Sequence, residues 1–343
     1  MLSKKIVIRI LAVCVAATLI FSGGGGVNAQ PQSEATPEAS SPKVILNLSH
    51  VMAPTELYHL EFEKMVERIN ERSNGSLEIR IFPGGQLGSQ KDNLEQIVRG
   101  VNLITFTDPA QMADYVPDYG IMFSPFIYDT PAHIDKLAGS SWHDEIKEAA
   151  SQRGLKVLDM GWYYGNRHLI SNQVIETPED LRGVQVRVPS VTMWVYTVEA
   201  IGGVPTNIQW SELYTALSQN VVQAAEGPLP AIYASRLYEV CKNIALTGHF
   251  TATCGLVMSQ VIFDTMTEEQ QTILLEEVRA AGKAGSEITL ASEDDLRREM
   301  EAEGVQFNEV DNQAFKNASR VVFDRFPEWS PGLYEKIAGI LNQ

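Results

Sequence analysis

Cysteine is scarce in this sequence: three in 343 residues. Cys14 falls in an apolar leader, so only Cys241 and Cys254 remain for the mature chain, enough for one disulfide at most. Export to an oxidising compartment permits that bond, which would close a loop worth about 3 kcal/mol. Spacing cannot establish its geometry, and two buried thiols are the alternative. Positive charge is also short, 27 Lys and Arg against 43 Asp and Glu. A chain with net charge −16 repels a phosphate backbone, which argues against nucleic-acid binding. Catalytic signatures are missing too. There is no H-E-x-x-H, no G-x-S-x-G elbow and no G-x-G-x-x-G turn. The six histidines are scattered, none at metal-ligand spacing to another His or Cys. Neither a metal nor a cofactor is expected. The longest apolar run, residues 10–21, is too short to span a membrane comfortably.

That run belongs to a secretory leader. Lys4, Lys5 and Arg9 precede it, and Val27-Asn28-Ala29 offers a cleavage site, so residues 1–29 read as a signal peptide, with an uncleaved anchor as the rival. Residues 30–42 are polar and rich in Pro and Ser, a flexible tether. Losing the leader's three positive charges and no acids takes the net charge to about −19. An anionic ligand would then need local positive charge set against the global field.

From residue 43 the hydrophobic pattern alternates between strand and helix periods. Strands are expected at 43–48, 77–82 and 101–107, with helices at 55–71 and 89–99, a βαβαβ unit with a parallel sheet. Further helices are expected at 131–153, 192–201, 211–218 (capped by Ser211) and 231–238. Extended runs are expected at 155–163, 183–188, 244–246 and 253–259. Thr267 and Gln270 form a capping box opening a helical run to about residue 303. At 1.5 Å per residue it would reach roughly 50 Å, more than one small domain. A break near Gly282 or Gly285 is the alternative.

Arginine placement carries the functional signal. Val184, Val186 and Val188 alternate with Gln185 and Arg187, and Pro189 ends the run. Ligands bind beyond the carboxyl ends of strands in open α/β sheets. A guanidinium there matches a carboxylate bidentately. Arg167 likewise follows an apolar extended run. The competing reading is a surface ion pair with one of the many acids, worth roughly 0–1 kcal/mol. His50 and Asp108 each follow a predicted strand of the first unit, at the edge facing a cleft.

The segment 177–189, TPEDLRGVQVRVP, resembles the hallmark of the DctP-type solute-binding proteins of TRAP (tripartite ATP-independent periplasmic) transporters. Three further blocks agree in order. These are Pro83-Gly84-Gly85-Gln86-Leu87-Gly88, then Gly202-Gly203-Val204-Pro205 with Glu212-Leu213-Tyr214-Thr215-Ala216-Leu217, and Tyr238-Glu239-Val240-Cys241-Lys242 with Thr247-Gly248-His249. The resemblance runs from about residue 43 to 343.

It implies a two-lobe α/β periplasmic-binding-protein fold, type II-like, with a long helix spanning both lobes. The lobes would be 43–164 plus 253–292, and 165–252 plus 293–343. It implies that Arg187 makes the principal salt bridge to a substrate carboxylate, that Arg167 assists and that Trp210 lines the cleft. One departure stands out: Gly227 replaces an asparagine that reaches the carboxylate in sialic-acid-type relatives. The missing contact would be left out, supplied by water, or taken over by a neighbour such as Asn207, and Glu226 would accept from substrate hydroxyls. An acid in the pocket suits a polyhydroxy monocarboxylate, such as a uronate or aldonate, over a dicarboxylate. The implied protein is a monomeric periplasmic binder delivering its ligand to the small and large integral membrane subunits of a transporter. A binder of a C4-dicarboxylate or other monocarboxylate, a sensory binding protein docking on a receptor, and a secreted enzyme using Glu226 or Asp108 as base remain the rivals.

Overall fold

The computed structural model describes residues 42–342; the expected signal peptide and nearly all of the tether lie outside them. The first unit folds as its periodicity predicts. Strands β1 (Val44–Ser49), β2 (Leu77–Phe82) and β3 (Leu103–Thr107) are parallel and ordered β2-β1-β3. Helices α1 (Leu57–Arg72) and α2 (Gln90–Val98) cross between them. Ser89 and Asp92 form the capping box of α2. A short helix α3 (Pro109–Met112) follows β3, capped by the Asp108 side chain.

The run expected as one helix at 131–153 is two, α4 (Ala132–Ala138) and α5 (Ser141–Ser151). Gly139 ends the first, and the Ser140 hydroxyl accepts from His143 N–H to start the second. Strand β4 (Leu155–Ser171) is nearly twice the expected length. β5 (Gln185–Val188), α6 (Thr192–Ala200) and β6 (Val204–Asn207) follow. Helix α7 (Leu213–Ser218) opens through a 3-10 turn at Trp210–Glu212, so Ser211 is not its cap. β7 (Ala224–Pro228) runs into α8 (Leu229–Ala234). The two runs expected at 244–246 and 253–259 are one strand, β8 (Asn243–Ser259).

β4 and β8 pair antiparallel along their length and fuse both halves into one nine-stranded sheet, ordered β2-β1-β3-β8-β4-β7-β5-β6. A short strand β9 (Gln306–Asn308) pairs with the far end of β8. The β4–β8 ladder shifts register four times. At one shift Gly165, φ +108°, pairs with Ala252, a conformation that L side chains rarely adopt. The expected lobe boundaries fall at this pair, inside the two strands.

After α9 (Gln260–Asp264), helix α10 (Glu268–Ala302) runs unbroken for 35 residues, with the predicted Thr267–Gln270 box at its start. Ile273, Leu274 and Val278 pack with Phe62 and Leu256 in the first core, while Met300 packs with Ile170 and Val222 in another. The helix therefore spans both lobes. Gly282 and Gly285 do not break it. They admit the Trp162 and Tyr58 rings, whose atoms lie 2.0 and 2.2 Å from where a Cβ would stand. Helix α11 (Asn312–Ser319) joins the second lobe through Phe315, which packs with Val186 and Leu181. Helix α12 (Leu333–Leu341) departs from the expected boundaries. Leu333, Ile337 and Leu341 pack with Leu137 and Trp142, returning the C-terminal end to the first lobe.

Candidate functional site

The carboxyl ends of β3 and β5 face a small cavity of about 70 Å³ where the halves of the sheet meet. Four of the seven expected site residues line it: Arg187, Arg167, Trp210 and Asp108. Phe123 and Trp194 supply apolar walls.

Arg187 is 4% exposed, although β5 is short and near the sheet edge. Its Nε donates to the Ile208 carbonyl at 2.8 Å, which fixes the guanidinium against β6. The ring of Trp210 lies 5.2 Å away. Among the described residues no carboxylate forms a salt bridge with it. Burial lowers its pKa to about 10, with Glu226 resisting and Arg167 adding to the fall. It remains a cation at neutral pH, desolvated and unneutralised.

Arg167 has a different status. Its Nε and Nη2 donate to the Glu226 carboxylate, the latter at 2.8 Å to Oε1. Trp194 Nε1 donates to the same Oε1 at 2.8 Å. Burial works against the charge of both partners, but each outweighs it for the other. The Arg167 pKa is held above the guanidinium's ordinary value, and that of Glu226 below the carboxylate's. Glu226 thus stands behind Arg167, fully buried, and is not part of the cavity wall. Arg167 and Trp194 hold its carboxylate, whereas the sequence reading expected it to accept from a ligand or serve as a base. One buried acid neutralises one of two buried guanidinia.

Asn207, expected as the neighbour that takes over the missing contact, lies elsewhere. It ends the edge strand β6, exposed and outside the cavity lining. The Gly227 departure has a packing cause: the Trp210 ring lies 3.3 Å from where a Cβ at 227 would stand. The indole occupies the direction a longer side chain would take. His50 turns inward, fully buried, its Nε2 3.0 Å from His59 Nδ1 and its ring against Phe62. Burial and the neighbouring His59 lower its pKa to about 3. Its chain neighbours Val51 and Met52 reach the cavity instead.

Glu56 and Tyr164 line the cavity, and the sequence reading named neither as a site residue. Glu56, 2% exposed, closes the loop after β1. Its Oε2 accepts from the Tyr164 hydroxyl at 2.5 Å and its Oε1 from Ala53 N–H at 3.2 Å. Burial raises its pKa to about 7 against these bonds and the pull of Arg167. Asp108, accepting from Gln111 N–H at 3.0 Å, is raised by burial to about 7 as well. The rule that nominated His50 and Asp108, the first polar residue after a strand, stops short of Glu56. Tyr164 carried no signal beyond its place beside Arg167.

Among the described residues no group of three or more His, Cys, Asp or Glu is arranged to hold a metal ion. Cys241 and Cys254 are separate buried thiols, bonded to Asn172 Oδ1 and the Trp162 carbonyl, so the disulfide is not formed. The chemistry the cavity offers is the capture of an anion by a desolvated guanidinium between aromatic walls.

Comparison with known proteins agrees with this geometry. Residues 48–328 match the family model of the bacterial extracellular solute-binding proteins, family 7, DctP. A sialic acid-binding periplasmic protein of Vibrio cholerae is 26% identical over 90% of this chain and 92% of its own. A TRAP periplasmic solute-binding protein of Fusobacterium nucleatum, solved with bound sn-glycerol 3-phosphate, superposes with TM-score 0.86 at 33% identity, covering 87% of this chain and 97% of that one. One of Actinobacillus succinogenes, solved with bound L-galactonate, gives 0.85 at 30%, covering 88% and 100%.

Proposed function

The chain belongs to family 7 of the bacterial extracellular solute-binding proteins, and from that premise we propose that it captures a small sugar acid in the periplasm and delivers it to the membrane subunits of a TRAP transporter. The observation that carries this reading is the buried, unneutralised guanidinium of Arg187. Burying a cation without a partner costs several kcal/mol, a cost a structural role does not explain and an incoming carboxylate offsets. A bidentate bond to the carboxylate fixes one end of the solute. Trp210 and Phe123 cover its apolar face, and Arg167, fixed by Glu226, points its remaining donors into the same space.

The rest of the solute would lie toward Glu56, Asp108 and Tyr164, a wall of hydrogen-bonding groups suited to hydroxyls. Micromolar affinity needs about −8 kcal/mol. Charge-assisted bonds at about 1.5–3 kcal/mol each supply it in a handful of contacts. The lobes, 43–164 plus 253–292 and 165–252 plus the chain up to α12, would close on the solute by bending between them. The L-galactonate bound by the Actinobacillus relative supports the sugar-acid class, whereas the glycerol 3-phosphate of the Fusobacterium relative marks the competing one.

The test is calorimetric titration with galactonate, galacturonate, glycerol 3-phosphate and succinate. Galactonate or galacturonate should bind tightest, and Arg187→Ala should lose that binding by at least about a hundredfold while keeping its circular dichroism. Tightest binding of glycerol 3-phosphate or succinate would reject the sugar-acid class.

A further inference from the structure

The cavity is charged asymmetrically. Arg187 and Arg167 come from β5 and β4, whereas Glu56 and Asp108 come from loops of the first unit. The field of Arg187 acts on Glu226 and Arg167, while Glu56 feels Arg167. A solute anchored at Arg187 therefore presents its other end to Glu56.

Helix capping does not explain the buried Glu56 carboxyl. The residue stands at the N-cap position of α1, yet its side chain bonds none of that helix's amides. Asp108, by contrast, caps α3. Glu56 is held by Ala53 N–H and the Tyr164 hydroxyl. Tyr164 belongs to β4, three residues before Arg167, so the strand that carries one guanidinium also orients the acid. Gln here keeps one accepting oxygen for these two donors, whereas Ala would leave both without a partner. A buried acid without a capping duty is a candidate for selectivity.

We propose that Glu56, oriented by Tyr164, determines specificity by limiting the charge of the captured solute, admitting a hydroxyl-bearing end and rejecting a second anionic group. This rests on the sugar-acid reading of the same cavity. A hydroxyl donates to the carboxylate, or accepts from the carboxylic acid, so Glu56 serves a neutral end in either protonation state. A second carboxylate or a phosphate dianion instead brings like charge to a desolvated acid, which is disfavoured whether Glu56 ionises or must take up a proton. Tyr164 and Arg167 from β4 act directly on Glu56, and Asp108 after β3, the Cys254 thiol from β8 and Arg187 from β5 share the cavity with it. Of the two cations, Glu226 already neutralises Arg167, and Arg187 is engaged by the solute's anchoring carboxylate.

The test titrates wild type, Glu56→Gln and Tyr164→Phe at pH 8 with galactonate, with galactarate (the same hydroxyls and a second carboxylate) and with glycerol 3-phosphate. Wild type should prefer galactonate to galactarate by about a hundredfold or more. Glu56→Gln should bind both dianions at least about tenfold more tightly than wild type and lose at least about tenfold of the galactonate-to-galactarate preference. Tyr164→Phe should shift the ratio the same way, by less. Dianion affinities unimproved in Glu56→Gln would overturn the proposal. A wild type that binds glycerol 3-phosphate ahead of galactonate would reject the sugar-acid reading, and the Glu56→Gln gain for glycerol 3-phosphate would still decide this one. Should Glu56→Gln not fold, the wild-type galactonate-to-galactarate ratio must rise from pH 6 to pH 8, as Glu56 loses its proton; a constant ratio overturns the proposal.

Discussion

Arg167 and Glu226 face each other across neighbouring strands, β4 and β7, and close a charge-neutral pair beneath the cavity. Arg187 sits on the next strand, beside β7, and has no such partner. Two guanidinia a few residues from the same solute are therefore electrostatically unequal, and substitutions at each should behave differently.

Removing the acid leaves a buried cation uncompensated. Glu226→Gln should lower the free energy of unfolding by about 3–5 kcal/mol, read from urea denaturation. A loss below about 1 kcal/mol would mean the pair is not desolvated.

Removing the unpaired cation should do the reverse. Arg187→Met keeps the stem's volume and deletes a buried charge, so the ligand-free protein should melt no lower than wild type, and above it if desolvation dominates. Calorimetric melting of the apo proteins would show this, and a Tm drop of many degrees would contradict it.

The Glu56 and Asp108 carboxyls hold their protons more tightly folded than unfolded, with pKa values of about 7 against ordinary values of 4.5 and 3.8. Their contribution to stability is present in full below pH 4 and lost as the pH rises to 7, since the folded state binds the extra protons across that window. Neutral histidines, the half-buried His168 and the fully buried His249, lowered by desolvation to about 3 and 4, bend the profile the opposite way below pH 6.5. The difference between Glu56→Gln and wild type isolates the acid. The variant should gain on wild type by up to about 3 kcal/mol between pH 4.5 and 7. A pH-independent difference would contradict the burial of an ionisable Glu56.

Glycine in a helix is ordinarily worth replacing, since alanine gains about 1 kcal/mol. Gly339 of α12 has open space around it, so Gly339→Ala should raise Tm. Gly282→Ala, on α10, would drive a methyl into the Trp162 indole. It should lose about 1–3 kcal/mol despite the propensity gain. Equal responses at the two sites would show that α10 is free to shift.

The local elements were legible because their periodicity was: β2 occupies its expected residues, and the Thr267–Gln270 box opens α10. Arg187 stood out because a permanent charge sits at the end of an alternating strand, just before Pro189. Glu226 and Asn207 lie outside the cavity lining, which alternation does not report: it says which face a side chain takes, not which partner claims it. Arg167 and Trp194 claim Glu226 across sequence distances of 59 and 32 residues. The continuity of β8 was hidden by Gly248 and the polar residues around it. The return of α12 to the first lobe rests on packing that no local pattern reports.

The sheet offers no slack segment at which its halves could pivot. β4, β8 and α10 each pass from one half to the other as regular structure, so any change in the angle between them must be taken up as elastic flexure shared by three beams. The four register shifts and the Gly165–Ala252 pair are where such flexure has the softest material. A molecule built this way resists wide swings and holds its halves within a narrow range of angles.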